Sequence, residues 1–168
     1  MSHHTIFPEI EKIWNTFYGK KIFSIKHEVE NAIQKVIAEG YKLNICIGTD
    51  SQVKGDIVEF ATVIAFIRKG KGGFMYKYHD KLPNTMSIHE RMITETARSI
   101  EVAADLCDLF EKYSIELEVH ADINTSPNFK SNIAFQEATG YILGMGFAFK
   151  AKPDAFAASS CGDKAVRS

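Results

Sequence analysis

The sequence predicts an α/β fold: a five-stranded mixed sheet, order 3-2-1-4-5, flanked by helices. Three segments rich in β-branched and aromatic residues follow one another between residues 43 and 79, joined by short turns that contain glycine. This pattern is typical of an antiparallel meander. From residue 87 onwards, helical and strand-like segments alternate. Right-handed crossovers then place the fourth and fifth strands parallel to the first, with the fourth beside it.

The first 40 residues are predicted to form a helical extension, and residues 41–168 the core of a single domain. Apolar residues recur at helical spacing over residues 7–17, which predicts a short amphipathic helix. A second helix should begin after Ser24 as N-cap, run to Glu39 and end before Gly40.

The five strands of the core are predicted at residues 43–50, 57–68, 74–79, 115–122 and 147–151. Ser87 and Glu90 match a capping box, which predicts the start of a long helix that ends near Tyr113. Its buried stripe is expected to consist of Ile93, Ala97, Ile100, Ala104 and Cys107. Another helix is predicted over residues 133–143.

Two of the predicted parallel strands end in an aspartate. Asp50 follows the apolar run that closes at Gly48, and Asp122 closes the fourth strand. Open α/β sheets bind ligands beyond the carboxyl ends of their strands. We therefore expect Asp50 and Asp122 to lie close enough to share a cation. His120 either supports such a site or is a hydrogen-bonded core residue.

Three segments carry a resemblance to a known family: Gly48-Thr49-Asp50-Ser51-Gln52, His120-Ala121-Asp122-Ile123-Asn124 and the stretch from Lys152 to Ser159. In their order and spacing they resemble the ribonuclease H-like fold, and more closely its bacterial YkuK-type branch. The resemblance implies a cluster of carboxylates that holds two divalent cations, Mg²⁺ or Mn²⁺. Asp50 and Asp122 match the acids of the first and fourth strands.

The resemblance also implies a glutamate from the long helix and an aspartate late in the chain. Glu95 is expected to point away from the apolar stripe, which leaves Glu90 and Glu101. The helix is expected to start at the sheet end where Asp50 and Asp122 emerge, and Glu101 lies about 16 Å further along its axis. Glu90 in the first helical turn is therefore the preferred glutamate, with Glu101 as the alternative. Asp163 is the preferred late aspartate, and Asp154 is the alternative. These four residues, Asp50, Glu90, Asp122 and Asp163, form the predicted catalytic and metal-binding set.

Polar residues near these acids are predicted to bind substrate. They are Ser51, Gln52, Asn124, Ser126 and Lys130. Lys69, Lys71 and Lys77 lie on a predicted hairpin that could follow a nucleic-acid backbone, although ordinary solubilising charge has the same composition. The net charge of −1 argues against a strongly basic nucleic-acid-binding protein.

The expected function is metal-dependent hydrolysis of phosphodiesters in DNA or RNA. An inactive ribonuclease H-like module that binds nucleic acid or protein is the alternative, and self-association stays open. A nucleotide-binding protein of the actin-like type ranks third, because the segment after the first strand offers only Gly55 for a phosphate loop. The sequence shows neither a bilayer-spanning apolar run nor a signal peptide, and its three cysteines fit no zinc pattern. These features favour a reducing cytoplasm.

Overall fold

A computed structural model describes residues 12–124, 140 and 148–152 and shows one seven-stranded sheet with two helices. The strand order is β2-β1-β5-β4-β3-β6-β7. The strands are β1 (Trp14–Thr16), β2 (Lys21–Ile22), β3 (Leu43–Lys54), β4 (Ile57–Arg68), β5 (Gly72–Pro83), β6 (Leu117–Asn124) and β7 (Ala148–Lys152). The helices are α1 (Ile25–Ala38) and α2 (Ile88–Lys112). Neither is long and apolar enough to cross a membrane.

The predicted order of the five core strands is confirmed. β5, β4 and β3 form an antiparallel meander, and β6 and β7 continue the sheet parallel to β3. β3 is thus the strand at which the sheet changes from antiparallel to parallel pairing. The predicted helix over residues 133–143 lies outside the described residues, apart from Gly140, which is helical.

The helix predicted over residues 7–17 is wrong where the structure describes it. Trp14–Thr16 is strand β1, which pairs antiparallel with β2 and with β5. The sheet therefore has two strands more than predicted. The Trp14 ring packs edge-on against Tyr78 with centroids 4.7 Å apart, and Gly19, at φ +92°, makes the turn back to β2. The free edge of β5 supplies backbone partners, and these outweigh the weak helical periodicity.

The predicted end of the first strand at Asp50 is also wrong. β3 continues to Lys54, and β4 pairs with it along the whole length, from Leu43↔Arg68 to Lys54↔Ile57. The turn comes at Gly55, whose φ of +62° suits glycine. Because β5 is equally long, it carries the chain well past the level of Asp50 before α2 begins.

Both helices contribute to one apolar core on one face of the sheet. Alternate β3 residues, Ile45 and Ile47, belong to this core with Val29 of α1 and Leu106 of α2. Ser24 caps α1 and Ser87 caps α2 in a full capping box with Glu90, both as predicted. The intervening residue Cys46 faces the other side, in a smaller apolar cluster with alanine and valine side chains of β4.

Candidate metal and catalytic site

Asp50 lies on β3, where β6 runs beside it. The two strands pair in parallel from Ile45↔Leu117 to Gly48↔His120. Asp50 is two residues beyond Gly48, and Asp122 is two residues beyond His120, so both acids follow the last pair of the two strands. The pairing of β6 with β7 shifts register between Ala121 and Asn124, the segment that contains Asp122. β3 and β6 are neighbouring parallel strands, as the sequence predicts.

The pairing of β3 with β6 ends just before these aspartates, although both strands continue. β3 keeps its pairing with β4 as far as Lys54, and β6 runs on to Asn124. Asp50 is half-buried. A gap between the carboxyl ends of two parallel strands is where open α/β sheets admit ligands.

Helix α2 also brings a carboxylate to this part of β3, and it belongs to Glu95. The side chain is buried, with 6% of its residue surface exposed. The Ser51 hydroxyl donates a hydrogen bond to its Oε1. Ser51 follows Asp50 directly, so an acid of α2 lies beside the strand segment that carries Asp50.

Two contacts between hydroxyl groups fix the position of α2 along strand β3. Thr49 Oγ1 lies 2.7 Å from Ser99 Oγ on α2 and 3.0 Å from Thr62 Oγ1 on β4. All three residues are buried. Ser99 is one helical turn after Glu95, and Thr49 is two strand residues before Ser51, so the two contacts run side by side.

The acids preferred from the sequence lie elsewhere on α2. Glu90 is exposed, and its carboxylate accepts a hydrogen bond from the backbone N–H of Ser87. Glu101 is exposed and forms an ion pair with Lys12 at 2.7 Å. The expectation that Glu95 points away from the sheet is wrong. Whether Glu90 or Glu101 binds metal stays a prediction.

The error has two physical sources. Because β5 is long, α2 begins further from Asp50 along the sheet than expected. The helix comes alongside the Asp50 segment of β3 only about one and a half turns after Glu90. The predicted buried stripe of α2 is also displaced around the helix axis. Ala97, predicted to be buried, is exposed, whereas Val102, Leu106 and Leu109 are buried. From Leu109, Leu106 and Val102, steps of three and four residues towards the N-terminus lead to Ser99 and then to Glu95. This spacing in the sequence indicates that Glu95 lies on the buried side of the helix.

The other predicted site residues are less well defined. Gln52 is half-buried and lies two residues after Asp50, on the same face of β3. Asn124 ends β6 in register with Lys152 of β7. Ser126, Lys130, Asp154 and Asp163 lie outside the described residues.

The predicted basic hairpin is divided between two regions. Lys69 and Lys71 lie in the β4–β5 turn, at the level of Leu43. Asp50 is seven strand residues away, about 23 Å along β3. Lys77 is buried on β5, with its ammonium 5.6 Å from the centroid of the Phe17 ring.

A polar cluster occupies the face of Asp50 further along the strands. Glu59 of β4 forms ion pairs with Lys54 and with His79, the latter at 3.1 Å. Burial acts to raise the pKa of Glu59, but the hydrogen bonds from Lys54 and His79 outweigh it and leave this pKa below the usual glutamate value. The cluster therefore carries an ionised carboxylate with its own cationic partners.

The oxygen donors at the strand edge suit a hard cation. Asp50 and Glu95 offer carboxylate oxygens, and Asp122 follows the last paired residue of the neighbouring strand by two positions. Carboxylates are the ligands that Mg²⁺ and Mn²⁺ prefer. A buried carboxylate such as Glu95 is also costly unless hydrogen bonds or a cation stabilise it.

Similar proteins are found among known families, protein sequences and solved structures. A sequence profile of the family described as ribonuclease H-like matches residues 25–167. The uncharacterized protein YkuK of Bacillus subtilis (strain 168) is 37% identical over 142 residues, covering 76% of this chain and 80% of that protein. The crystal structure of RNase H1 from the halophilic archaeon Halobacterium salinarum NRC-1 aligns with a TM-score of 0.43 and 14% identity, over 74% of this chain and 92% of the other.

Proposed function

Because the chain belongs to the ribonuclease H-like family, in which it is a relative of YkuK, we propose that it hydrolyses phosphodiester bonds of a nucleic acid with Mg²⁺ or Mn²⁺. The proposed ligands are Asp50, Glu95 and Asp122, together with a late aspartate, Asp163 or Asp154. Glu95 replaces Glu90 as the preferred helix acid.

One observation carries the proposal: the buried Glu95 carboxylate is held beside the strand of Asp50. A packed helix would normally place an apolar residue at a position that is 6% exposed. Here an acid is kept and hydrogen-bonded to Ser51. Such buried acids in the ligand-binding region of a sheet are typical of functional sites.

Asp50 and Glu95 approach this edge from different sides. Ser51 points towards α2, so Asp50, its neighbour on the strand, points to the other face. Because the pairing of β3 with β6 has ended at Gly48, carboxylates from either face can reach the same open edge. This topology supports a site shared by acids of β3, α2 and β6.

The carboxylates of Asp50, Glu95 and Asp122 would hold divalent ions, whose chemistry would be the activation of a water molecule and the stabilisation of a leaving oxygen. The chain's own residues orient the carboxylates. Ser51 holds one oxygen of Glu95, while the contact between Thr49 and Ser99 fixes the position of the helix along the sheet. Gln52, on the face of Asp50, would contact a phosphate oxygen.

The test compares the full-length protein with three variants on single-stranded DNA, duplex DNA, RNA and an RNA–DNA hybrid, each with Mn²⁺. The variants are Asp50→Asn, Glu95→Gln and Glu90→Gln. We expect cleavage by the wild type that disappears in Asp50→Asn and falls at least about 100-fold in Glu95→Gln. Glu90→Gln is the matched control, since it makes the same chemical change on the same helix, and it should keep its activity.

Each other outcome has a definite meaning. Cleavage that persists in Asp50→Asn would come from a contaminant and would contradict the proposal. A larger loss in Glu90→Gln than in Glu95→Gln would restore the assignment made from the sequence. Nucleic-acid binding without cleavage would favour the inactive module.

A further inference from the structure

A second group of ligand atoms lies on the same face of the sheet as Asp50, upstream of it. Cys46 of β3 and Glu118 and His120 of β6 each offer one ligand atom, and these atoms lie within 4.8 Å of one another. We propose that the three side chains bind a transition-metal ion, with Zn²⁺ as the preferred species. This site is separate from the proposed carboxylate site and does not depend on it.

The parallel register of β3 and β6 brings these three side chains together. Cys46 pairs directly with Glu118, and His120 pairs with Gly48. Residues two apart on a strand face the same side, so the imidazole and the carboxylate of β6 lie over the thiol of β3. Gly48 has no side chain that would occupy the space next to the His120 ring.

The distances fit tetrahedral coordination. Glu118 Oε2 lies 3.0 Å from His120 Nε2 and 3.7 Å from Cys46 Sγ. With typical zinc bond lengths, tetrahedral ligands are separated by about 3.3 Å for nitrogen and oxygen and about 3.5 Å for sulfur and oxygen. Cys46 Sγ and His120 Nε2 lie within 4.8 Å of each other. Shifts of about 0.3 Å in the first two pairs, and an approach of at most about 1.3 Å in the third, would therefore bring the three atoms into a zinc coordination shell.

The burial of these side chains and their ligand atoms distinguish this site chemically from a magnesium site. The His120 side chain is fully buried and Cys46 is 1% exposed, whereas the Glu118 side chain keeps 23% of its surface accessible. Glu118 thus provides the route by which an ion enters. Thiolate and imidazole are ligands for zinc and similar metals, not for Mg²⁺.

The alternative is a hydrogen-bonded group in which Glu118 only accepts from the thiol and the imidazole. Both arrangements use the same side chains, so the experiment must detect a metal–sulfur bond directly. Co²⁺ is a suitable probe, because thiolate coordination produces a sulfur-to-cobalt charge-transfer band in the near ultraviolet that oxygen ligands do not produce.

The experiment titrates Co²⁺ into the full-length protein after treatment with a chelator. We expect a thiolate band that saturates at one equivalent in the wild type and is lost in Cys46→Ser. Glu118→Gln alters a partly exposed side chain and should fold, but its affinity for Co²⁺ should fall about tenfold or more. Cys107→Ser is the matched control on α2 and should keep the band.

Two results would overturn the proposal: no thiolate band in the wild type, or a band that survives Cys46→Ser. Asp50→Asn distinguishes this site from the carboxylate site. It should lose phosphodiester hydrolysis and keep the cobalt band. Zn²⁺ should also raise the melting temperature of the wild type more than that of Glu118→Gln, since binding to the folded state alone stabilises it.

Discussion

Replacing Arg98 with methionine should destabilise the protein strongly, because Arg98 forms a buried ion pair with Asp80. Its Nε and Nη2 donate to Asp80 Oδ2 at 3.3 and 3.0 Å. The two side chains expose only 8% and 2% of their surfaces. The guanidinium also lies 5.9 Å from the centroid of the Phe60 ring. This pair connects α2 to β5 one turn after Glu95.

The expected magnitude follows from what the substitution leaves behind. Asp80 Oδ1 is already buried without a hydrogen-bond partner among the described residues. Without Arg98 the whole carboxylate would be buried and uncompensated. Breaking a buried pair in this way costs about 3–5 kcal/mol of the free energy of unfolding. For a chain of this length the loss corresponds to a fall of roughly 6–20 °C in melting temperature.

Urea unfolding followed by circular dichroism measures this loss, and Lys26→Met is the matched control. Lys26 pairs with Asp108 of α2 at 2.8 Å, but these side chains expose 52% and 71% of their surfaces. Such a solvent-exposed pair contributes little to stability. The double variant Arg98→Met with Asp80→Leu should recover part of the loss. Equal, small effects of Arg98→Met and Lys26→Met would refute the reasoning.

Three further predictions concern stability. Burial raises the pKa of Tyr78 to about 12. Because the unfolded chain loses this proton near pH ~10, the free energy of unfolding should fall by about 2–3 kcal/mol between pH ~10 and pH ~12. Alkaline unfolding of Tyr78→Phe should lack this loss. Burial disfavours the ionised form of Glu59, but hydrogen bonds from Lys54 and His79 outweigh this effect and lower its pKa. The stability that the ionised carboxylate contributes should therefore be present above pH ~4.3 and be lost on acidification. The free energy of unfolding of Glu59→Gln should depend less on pH in the acid range. Gly73→Ala should lower the melting temperature, since its Cβ would stand 2.6 Å from a carbonyl oxygen of β4.

The core topology was predictable because few chain paths satisfy its constraints. Short turns force β3, β4 and β5 into a meander, and the handedness of crossovers then places β6 beside β3. Strand β1 was not predictable in the same way. Three residues carry little periodic information, and Trp14 is buried by residues distant in the sequence, among them Tyr78.

The helix acid shows where local sequence reasoning fails. Glu90 satisfies a strong local pattern, the capping box, and that role is confirmed. Selecting the acid at the level of Asp50 required the length of β5, which depends on pairing with β4 over twelve positions. Such lengths are set by the whole sheet, so a helix acid is better chosen by extending its bulky apolar stripe than by its distance from the N-cap.

The two proposed metal sites differ in the way their ligands are held, and this difference would let two positions along β3 and β6 discriminate between metals. Cys46 and Glu118 lie where β3 and β6 are hydrogen-bonded to each other, so their separation is fixed by the register. Asp50 lies past the end of that pairing, where the spacing of carboxylates can adapt to an octahedral ion and its waters. Thiolate and imidazole would retain zinc-like ions at Cys46 and His120, and the proposed site at Asp50 would offer oxygen ligands alone. Excess Zn²⁺ should therefore saturate the thiolate site before it competes with Mn²⁺ at the carboxylates, and in Cys46→Ser the inhibition of hydrolysis by Zn²⁺ should begin at lower total zinc.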